Sequence, residues 1–289
     1  MKIAFIGLGR MGWHLAGHLA TAGHEVAVYD IDAAVAQRWV EEHHGRAADS
    51  IVDAVQDCAV VCSSVPADPQ LRAIWDAAQG ALAEGAIWID HSTTSAEIAR
   101  ALATEAATNG RFFIDAPVSG GTVGAENGKL AVMAGGDPIA WVIAEQVVAA
   151  YAARANLIGP AGAGQLTKMA NQICVLGVGQ ALAEGLSFAE SAGLDPRKVL
   201  EVMLTGSSTS WMMENRAALM IDATYDYGFS TTLMRKDIGL VLDEAQRIDE
   251  TLPITAQIAE LLDEVDAMGG ASWDWCSLME RQRSQNRNR

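Results

Sequence analysis

The sequence predicts a two-part α/β protein: an N-terminal doubly wound sheet over residues 1–161 and a C-terminal all-helical domain over residues 162–289, joined by a long interdomain helix. Three observations carry this. Short apolar runs alternate with alanine-rich segments of helical spacing through the first half, the pattern of a parallel sheet with helices on both faces. The alternation ends at Gly159-Pro160-Ala161-Gly162. Beyond it the periodicity is helical, with no convincing strand.

Residues 2–6, 25–29, 59–63, 86–90 and 112–115 read as strands, and 130–134 and 155–158 as candidate additions to the same sheet. Residues 11–22, 67–82 and 95–108 carry helical spacing. A long helix spans 165–191; Gly193 stops it, and Asp195-Pro196 starts the next with a cap and a proline in its first turn. No internal repeat and no low-complexity linker interrupts the chain.

Half of the 289 residues are hydrophobic, enough for a packed core. No uninterrupted apolar run approaches the roughly 18 residues of a membrane span, so no membrane association is expected. Met1-Lys2-Ile3-Ala4-Phe5-Ile6-Gly7 enters a strand at once, without signal-peptide or transit character, which places the protein in the cytoplasm. The net charge of −16 argues against a nucleic-acid partner. Arg281, Arg283, Arg287 and Arg289 form a basic tail, read as a solvated, frayed terminus. Cys58, Cys62, Cys174 and Cys276 form no CxxC pair and read as buried, reduced thiols. His14 and His18 stand four apart on a helix but have no further ligand nearby in sequence, so no metal is expected.

Chemistry enters at Gly7-Leu8-Gly9-Arg10-Met11-Gly12, a GxGxxG pattern that follows a strand and opens a helix. There the glycines serve a tight turn, close approach to a pyrophosphate, and helix-to-strand packing; the helix start supplies N–H donors and positive potential. This is the Rossmann dinucleotide-binding arrangement. The second strand ends at Asp30, the expected place for an acid that accepts both ribose hydroxyls. That acid repels the extra phosphate of NADP, and no arginine follows to offset it, so the reading is NAD, with NADP less favoured.

Three further segments extend the pattern: Asp115-Ala116-Pro117-Val118-Ser119-Gly120-Gly121; Gly162-Ala163-Gly164-Gln165-Leu166-Thr167-Lys168-Met169-Ala170-Asn171-Gln172; and Lys236-Asp237. With the glycine motif, they make nearly the whole chain resemble the β-hydroxyacid dehydrogenases, the family of 3-hydroxyisobutyrate dehydrogenase and tartronate semialdehyde reductase. The resemblance implies Ser119, Gly120 and Gly121 as binders of a substrate carboxylate, and the local chemistry agrees, since a hydroxyl followed by two glycines presents unobstructed donors to an anion. It implies Lys168 as the catalytic residue, with Asn171 and Gln172 on the same helical face contacting substrate. Many relatives carry asparagine where this chain has Gln172. Val65, Pro66, Thr93 and Lys236 fall where relatives contact the cofactor, Asp274 matches a family acid, and Phe229 a pocket aromatic. Trp211 suits either a pocket wall or helix core. His91 is placed behind the cofactor rather than on it.

The expected reaction moves a hydride between a nicotinamide cofactor and a small 3-hydroxy acid or the matching aldehyde acid. A lysine ammonium can hydrogen-bond the reacting oxygen, stabilise its developing charge and give it a proton. An imine reductase shares the architecture but usually lacks this lysine. A 6-phosphogluconate dehydrogenase is longer and follows its lysine with His-Asn. A serine- or threonine-type 3-hydroxy amino acid dehydrogenase has the same reacting geometry and stays open. A non-catalytic nucleotide-binding module would lack the lysine. The apolar helical domain suggests a homodimer or homotetramer.

Overall fold

The computed structural model describes residues 1–226 and 228–287; Arg289 of the basic tail lies outside the described residues. The chain forms two compact units, Met1–Lys168 and Met169–Arg289.

The strands of the first unit are β1 (Lys2–Ile6), β2 (Glu25–Tyr29), β3 (Arg46–Ala47), β4 (Val60–Ser63), β5 (Ile87–Asp90), β6 (Phe112–Asp115), β7 (Val118–Ser119), β8 (Leu130–Gly135) and β9 (Ala152–Gly159). Its helices are α1 (Gly12–Thr21), α2 (Ala33–His43), α3 (Ile51–Val55), α4 (Asp68–Ala78), α5 (Ala96–Thr108), α6 (Gly121–Glu126) and α7 (Pro138–Val148). Among the described residues the sheet order is β3-β2-β1-β4-β5-β6-β8-β7, with β9 paired to β8. From β3 to β6 every pairing is parallel.

Unlike β9 at the far side of β8, which has no buried residue, the central strands β1, β4, β5 and β6 are buried on both faces, which is why they read as continuous apolar runs. Their side chains still alternate. Ile3 and Phe5 enter one core with Leu15, Val28, Trp39 and Tyr151. Ala4 and Ile6 enter the other with Trp75, Trp88, Leu102 and Phe113. Trp75 meets Trp88 and Phe113 edge-on, at centroid distances of 5.4 and 5.9 Å.

The sheet is not wholly parallel. β8 runs against β6 and β7, and β9 follows β8. A parallel return needs a long crossover. Ala116 and Pro117 carry β6 on into β7 in the same direction, and the reversal falls between β7 and β8, which only the single short helix α6 separates. The two-residue strands β3 and β7 carry too little periodicity to be read from sequence. β7 matters most, because it holds Val118 and Ser119.

Helix α8 (Ala163–Ser191) begins in the first unit and continues into the second. Among the described residues it alone has the length and apolar composition to cross a membrane, but half of its most apolar window is buried within the protein. The second unit continues with α9 (Pro196–Met203), α10 (Trp211–Ile221), α11 (Thr231–Arg247), α12 (Pro253–Val265) and α13 (Leu278–Arg287). As the sequence suggests, Gly193 takes a positive φ of 76° after α8, and Asp195 caps α9 by accepting the Arg197 N–H. Leu182, Leu186, Met220, Ile238, Leu262 and Leu278 build the core.

Two expectations change. The basic tail is not frayed through Arg287: it is α13, where Arg281 pairs with Glu264, Arg283 with Glu190, and Arg287 with Glu280. Arg283 also donates to the carbonyls of Met220 and Ile221 at the end of α10. Acids on neighbouring helices thus give the arginines partners that their run in the sequence does not reveal. Of the four free cysteines, Cys58, Cys62 and Cys276 are buried, while Cys174, on α8, is exposed.

Candidate active site

The turn after β1 is built for close approach. Gly7 has φ +91°, and a Cβ on it would lie 2.3 Å from the Ser64 carbonyl oxygen; a Cβ on Gly12 would lie 1.9 Å from that of Gly7. The protein itself therefore demands two of the three glycines. A Cβ on Gly9 would meet nothing within 4 Å, so this glycine faces open space, as a backbone that cradles a pyrophosphate should. Arg10 is exposed, and Met11 takes the cap position of α1, whose first-turn donors stand ready for phosphate oxygens. Leu8 donates its N–H to Asp30 Oδ2 at 2.7 Å, and Asp32 donates to Oδ1 at 3.0 Å. Asp30 is thus fixed beside the glycine turn, and its oxygens keep lone pairs for ribose hydroxyls. This turn fits a dinucleotide.

Val65 and Pro66 follow β4, and Thr93 follows β5. Ser92 links the two loops: its Oγ accepts the Val65 N–H at 2.9 Å and donates to Asp90 Oδ1 at 2.7 Å. Ser63 Oγ donates to the same oxygen at 2.6 Å. Asp90 is fully buried, and burial pushes its carboxyl up to about 7 against the pull of these hydroxyls. Its Oδ2 has no hydrogen-bond partner. His91 turns into the protein, with Nδ1 2.8 Å from the Ala116 carbonyl and Nε2 2.8 Å from the Tyr151 hydroxyl. Burial lowers this imidazole to about 4, so it is neutral. Nδ1–H then donates to Ala116, and Nε2 accepts from Tyr151. These contacts tie the end of β5 to Ala116, in the segment that leads into β7, and to Tyr151.

Ser119 ends β7; Gly120 follows with φ +131° and Gly121 with φ +63°. Gly121 is exposed, with open space where a side chain would stand. Lys168, in the second turn of α8, is only 8% exposed, and its Nζ donates to the Val118 carbonyl at 2.9 Å. The fold therefore brings Lys168 to the residue next to Ser119, across a sequence separation of 50. Two residues whose roles the sequence did not reveal hold this arrangement. Asp115 accepts the N–H groups of Gly162 and Gln165. The buried Gln165 amide accepts from Thr94 N–H at 3.1 Å and donates to the Ser92 carbonyl at 2.8 Å. Both residues stand inside the motifs, but their partners lie far away in sequence and no spacing points to them.

In the second unit, Asn171 Nδ2 donates to Gln172 Oε1 at 2.9 Å, and Gln172 Nε2 donates to Asp237 Oδ2 at 2.8 Å. Lys236 Nζ lies 3.0 Å from Asp237 Oδ1. These four side chains form one chain of contacts between α8 and α11. Asp274 accepts from the backbones of Phe229 and Cys276, fixing the turn before α11. Trp211 is half-exposed at the start of α10 with the Arg216 guanidinium over its ring, so it is not core. His18 reaches the Ala125 carbonyl at 2.8 Å and His14 lies 3.9 Å from Glu126, so both imidazoles face α6. Among the described residues no group of three or more His, Cys, Asp or Glu could hold a metal ion.

A sheet whose glycine turn fits a dinucleotide, followed by a helical unit, is the architecture of a nicotinamide-dinucleotide dehydrogenase. The comparisons narrow this. Residues 2–159 match the NAD-binding domain of 6-phosphogluconate dehydrogenase, and residues 162–281 match the NAD-binding domain of NADP-dependent 3-hydroxyisobutyrate dehydrogenase. An uncharacterized oxidoreductase of Shewanella frigidimarina is 49% identical over 283 residues, 97% of each chain. The 2-hydroxy-3-oxopropionate reductase of Escherichia coli is 33% identical, covering 97% of this chain and 96% of its own. The solved 3-hydroxyisobutyrate dehydrogenase of Mycobacterium tuberculosis, with L-serine, superimposes with a TM-score of 0.89 at 30% identity, over 98% of this chain and 99% of its own. The chain belongs to the 3-hydroxyisobutyrate dehydrogenase family, NAD(P)-binding oxidoreductases of small hydroxy acids.

Proposed function

We propose that the protein transfers a hydride between NAD and a small 3-hydroxy acid or the matching aldehyde acid, such as 3-hydroxyisobutyrate or tartronate semialdehyde, with Lys168 as general acid and base. The observation that carries this is Lys168 itself, a buried cation held 2.9 Å from the carbonyl of Val118, next to Ser119. A buried ammonium costs desolvation energy unless something uses or compensates it.

The Ser119 hydroxyl and the Gly120 and Gly121 backbones bind the substrate carboxylate. Asn171 contacts the substrate, and Gln172, engaged at both ends of its amide, orients Asn171. The glycine turn of Gly7, Leu8, Gly9, Arg10, Met11 and Gly12 holds the cofactor phosphates. Asp30 holds the ribose, and Val65, Pro66, Thr93 and Lys236 line the remaining cofactor contacts. When bound, the nicotinamide supplies or receives the hydride. Lys168 Nζ hydrogen-bonds the substrate oxygen, stabilises its negative charge during reduction and gives it a proton. In oxidation Nζ takes that proton from the hydroxyl. Asp30 favours NAD, since a carboxylate at this place repels a 2′-phosphate. Exposed Phe188, Leu194 and Val202 of the second unit suit a homodimer or homotetramer.

A second reading has one observation in its favour: the solved relative that carries L-serine is a member of the same family. A 3-hydroxy amino acid offers the same carbinol and carboxylate. A spectrophotometric panel of C3–C4 3-hydroxy acids, semialdehydes, L-serine and L-threonine, run with NAD(H) and NADP(H), separates the readings. Turnover of an unaminated 3-hydroxy acid with NAD supports the first. Turnover restricted to the amino acids supports the second. Silence across the panel with cofactor bound removes both.

A further inference from the structure

Helix α8 starts without a cap of its own. The residue before it, Gly162, sits at φ +90° and has no side chain to accept the first-turn N–H groups. The acceptor comes from elsewhere. Asp115, fully buried at the end of β6, takes the Gly162 N–H on Oδ1 at 2.7 Å and the Gln165 N–H on Oδ2 at 2.9 Å. The approach is tight enough to need glycine on both sides. A Cβ on Gly164 would stand 2.5 Å from the Asp115 carbonyl oxygen and 2.8 Å from its Oδ2. A Cβ on Gly135 would stand 2.7 Å from Gly164 N and 2.8 Å from Asp115 Oδ1.

Three residues beyond Asp115 is Val118, whose carbonyl accepts from Lys168. Asp115 and Lys168 therefore tie the same two segments together twice: carboxylate to helix start, then ammonium to strand. Only the first tie is independent of a substrate. When an oxygen of substrate competes for Nζ, the carboxylate still fixes the height of α8 against β6 and β7. The Gln165 side chain extends the same turn to Ser92 and Thr94, on either side of Thr93.

We propose that Asp115 is a positioning residue for Lys168, an external cap that sets the lysine's place relative to Ser119. This rests on Lys168 being the proton donor. At pH 8.5, above the value of about 7 to which burial raises the Asp115 carboxyl, Asp115→Asn keeps the volume but turns an amide N–H against a backbone N–H, and Asp115→Ala leaves two buried donors without an acceptor. Steady-state rates, NADH affinity by fluorescence titration and Tm are measured for both, beside Lys168→Ala and Asp195→Ala. The last removes an ordinary cap from α9 and controls for lost stability. Assays run well below every Tm.

The expected result is a kcat lower by about 100-fold in the Asp115 variants, the cost of a misplacement near 1 Å. NADH affinity should be unchanged and KM should move less than kcat. Asp195→Ala should lose stability with kcat intact. Wild-type kcat in Asp115→Asn, with Lys168→Ala inactive, overturns the inference and leaves the proposed function standing. Turnover retained in Lys168→Ala sinks that function first. Failure of both Asp115 variants to fold, or a loss of NADH binding matching the loss of kcat, also overturns the positioning role.

Discussion

The Lys168 ammonium lies 2.9 Å from the carbonyl oxygen of Val118, bonded to the residue that precedes Ser119. A lysine that only packed would keep its head in water; this one is 8% exposed, with its head turned inward. If it delivers the proton, Lys168→Ala lowers turnover by about 10²–10⁴-fold, the usual worth of a positioned acid–base group. NADH binding should survive, since Lys168 is not among the groups assigned to the cofactor. Stopped-flow fluorescence for binding and steady-state rates for turnover separate the two effects. Near-normal turnover would end the assignment.

Asp30 is held by the Leu8 N–H at 2.7 Å, so removing it disturbs the glycine turn as well as the ribose contact. Loss of NAD affinity alone would not distinguish the two. The ratio does. Asp30→Ala should weaken NAD by roughly 10- to 100-fold, the scale of charge-assisted hydrogen bonds, and weaken NADP less, because the repulsion of its phosphate is relieved. Fluorescence titration with both reduced cofactors measures this. An unchanged preference would take Asp30 off the ribose.

Gln172 bridges Asn171 and Asp237 with both ends of its amide. Gln172→Leu takes one hydrogen bond from the buried Asp237 and one from the Asn171 amide. The loss should be roughly 1.5–3 kcal/mol, that of a hydrogen bond to a charged group. KM for the hydroxy acid should rise, while NADH affinity reads whether Lys236 also moves. Gln172→Asn, a methylene shorter, should fall short of Asp237 and reproduce the change in part. A variant with wild-type Tm and KM would show the chain of contacts to be incidental.

The cofactor turn was legible because its constraints are local. Strand, glycines, helix and Asp30 lie within 30 residues, and each step has a backbone reason for its residue type. The central strands β1, β4, β5 and β6 were legible because both of their faces are buried. Strand β7 was not, since two residues carry no period, and neither was the reversal of β8. Asp115 and Gln165 sat in plain view inside recognisable motifs, but their roles arise from partners 47 to 73 residues away. Arg283 looked like tail charge until Glu190, 93 residues earlier, met it. What the sequence withholds here is pairing between distant groups, while residue type, period and turn chemistry can be read directly.

Asp90 offers a prediction in pH. It is fully buried with one oxygen unpartnered, and burial raises its carboxyl from about 3.8 to about 7. The folded protein therefore holds a proton that the unfolded chain releases at lower pH. The stability this residue contributes is intact below about pH 3.8 and is lost as pH rises through about 7. Asp90→Asn keeps an oxygen acceptor for Ser63 and Ser92 and cannot ionise, so it should gain stability relative to wild type as pH rises. The relative gain between pH 5 and pH 8 should be on the order of 3 kcal/mol, from about 1.4 kcal/mol for each pH unit below the folded pKa. His91, lowered to about 4 by burial, contributes the opposite slope; Asp115, raised to about 7 by burial and in small part by the Asp90 charge itself, contributes the same slope, so the difference between the two proteins reads residue 90 together with its coupling to Asp115. Thermal melts of the two proteins across that range decide the matter. A Tm difference that stays flat with pH would show that Asp90 is ionised throughout, and that a group beyond its two serines carries the charge.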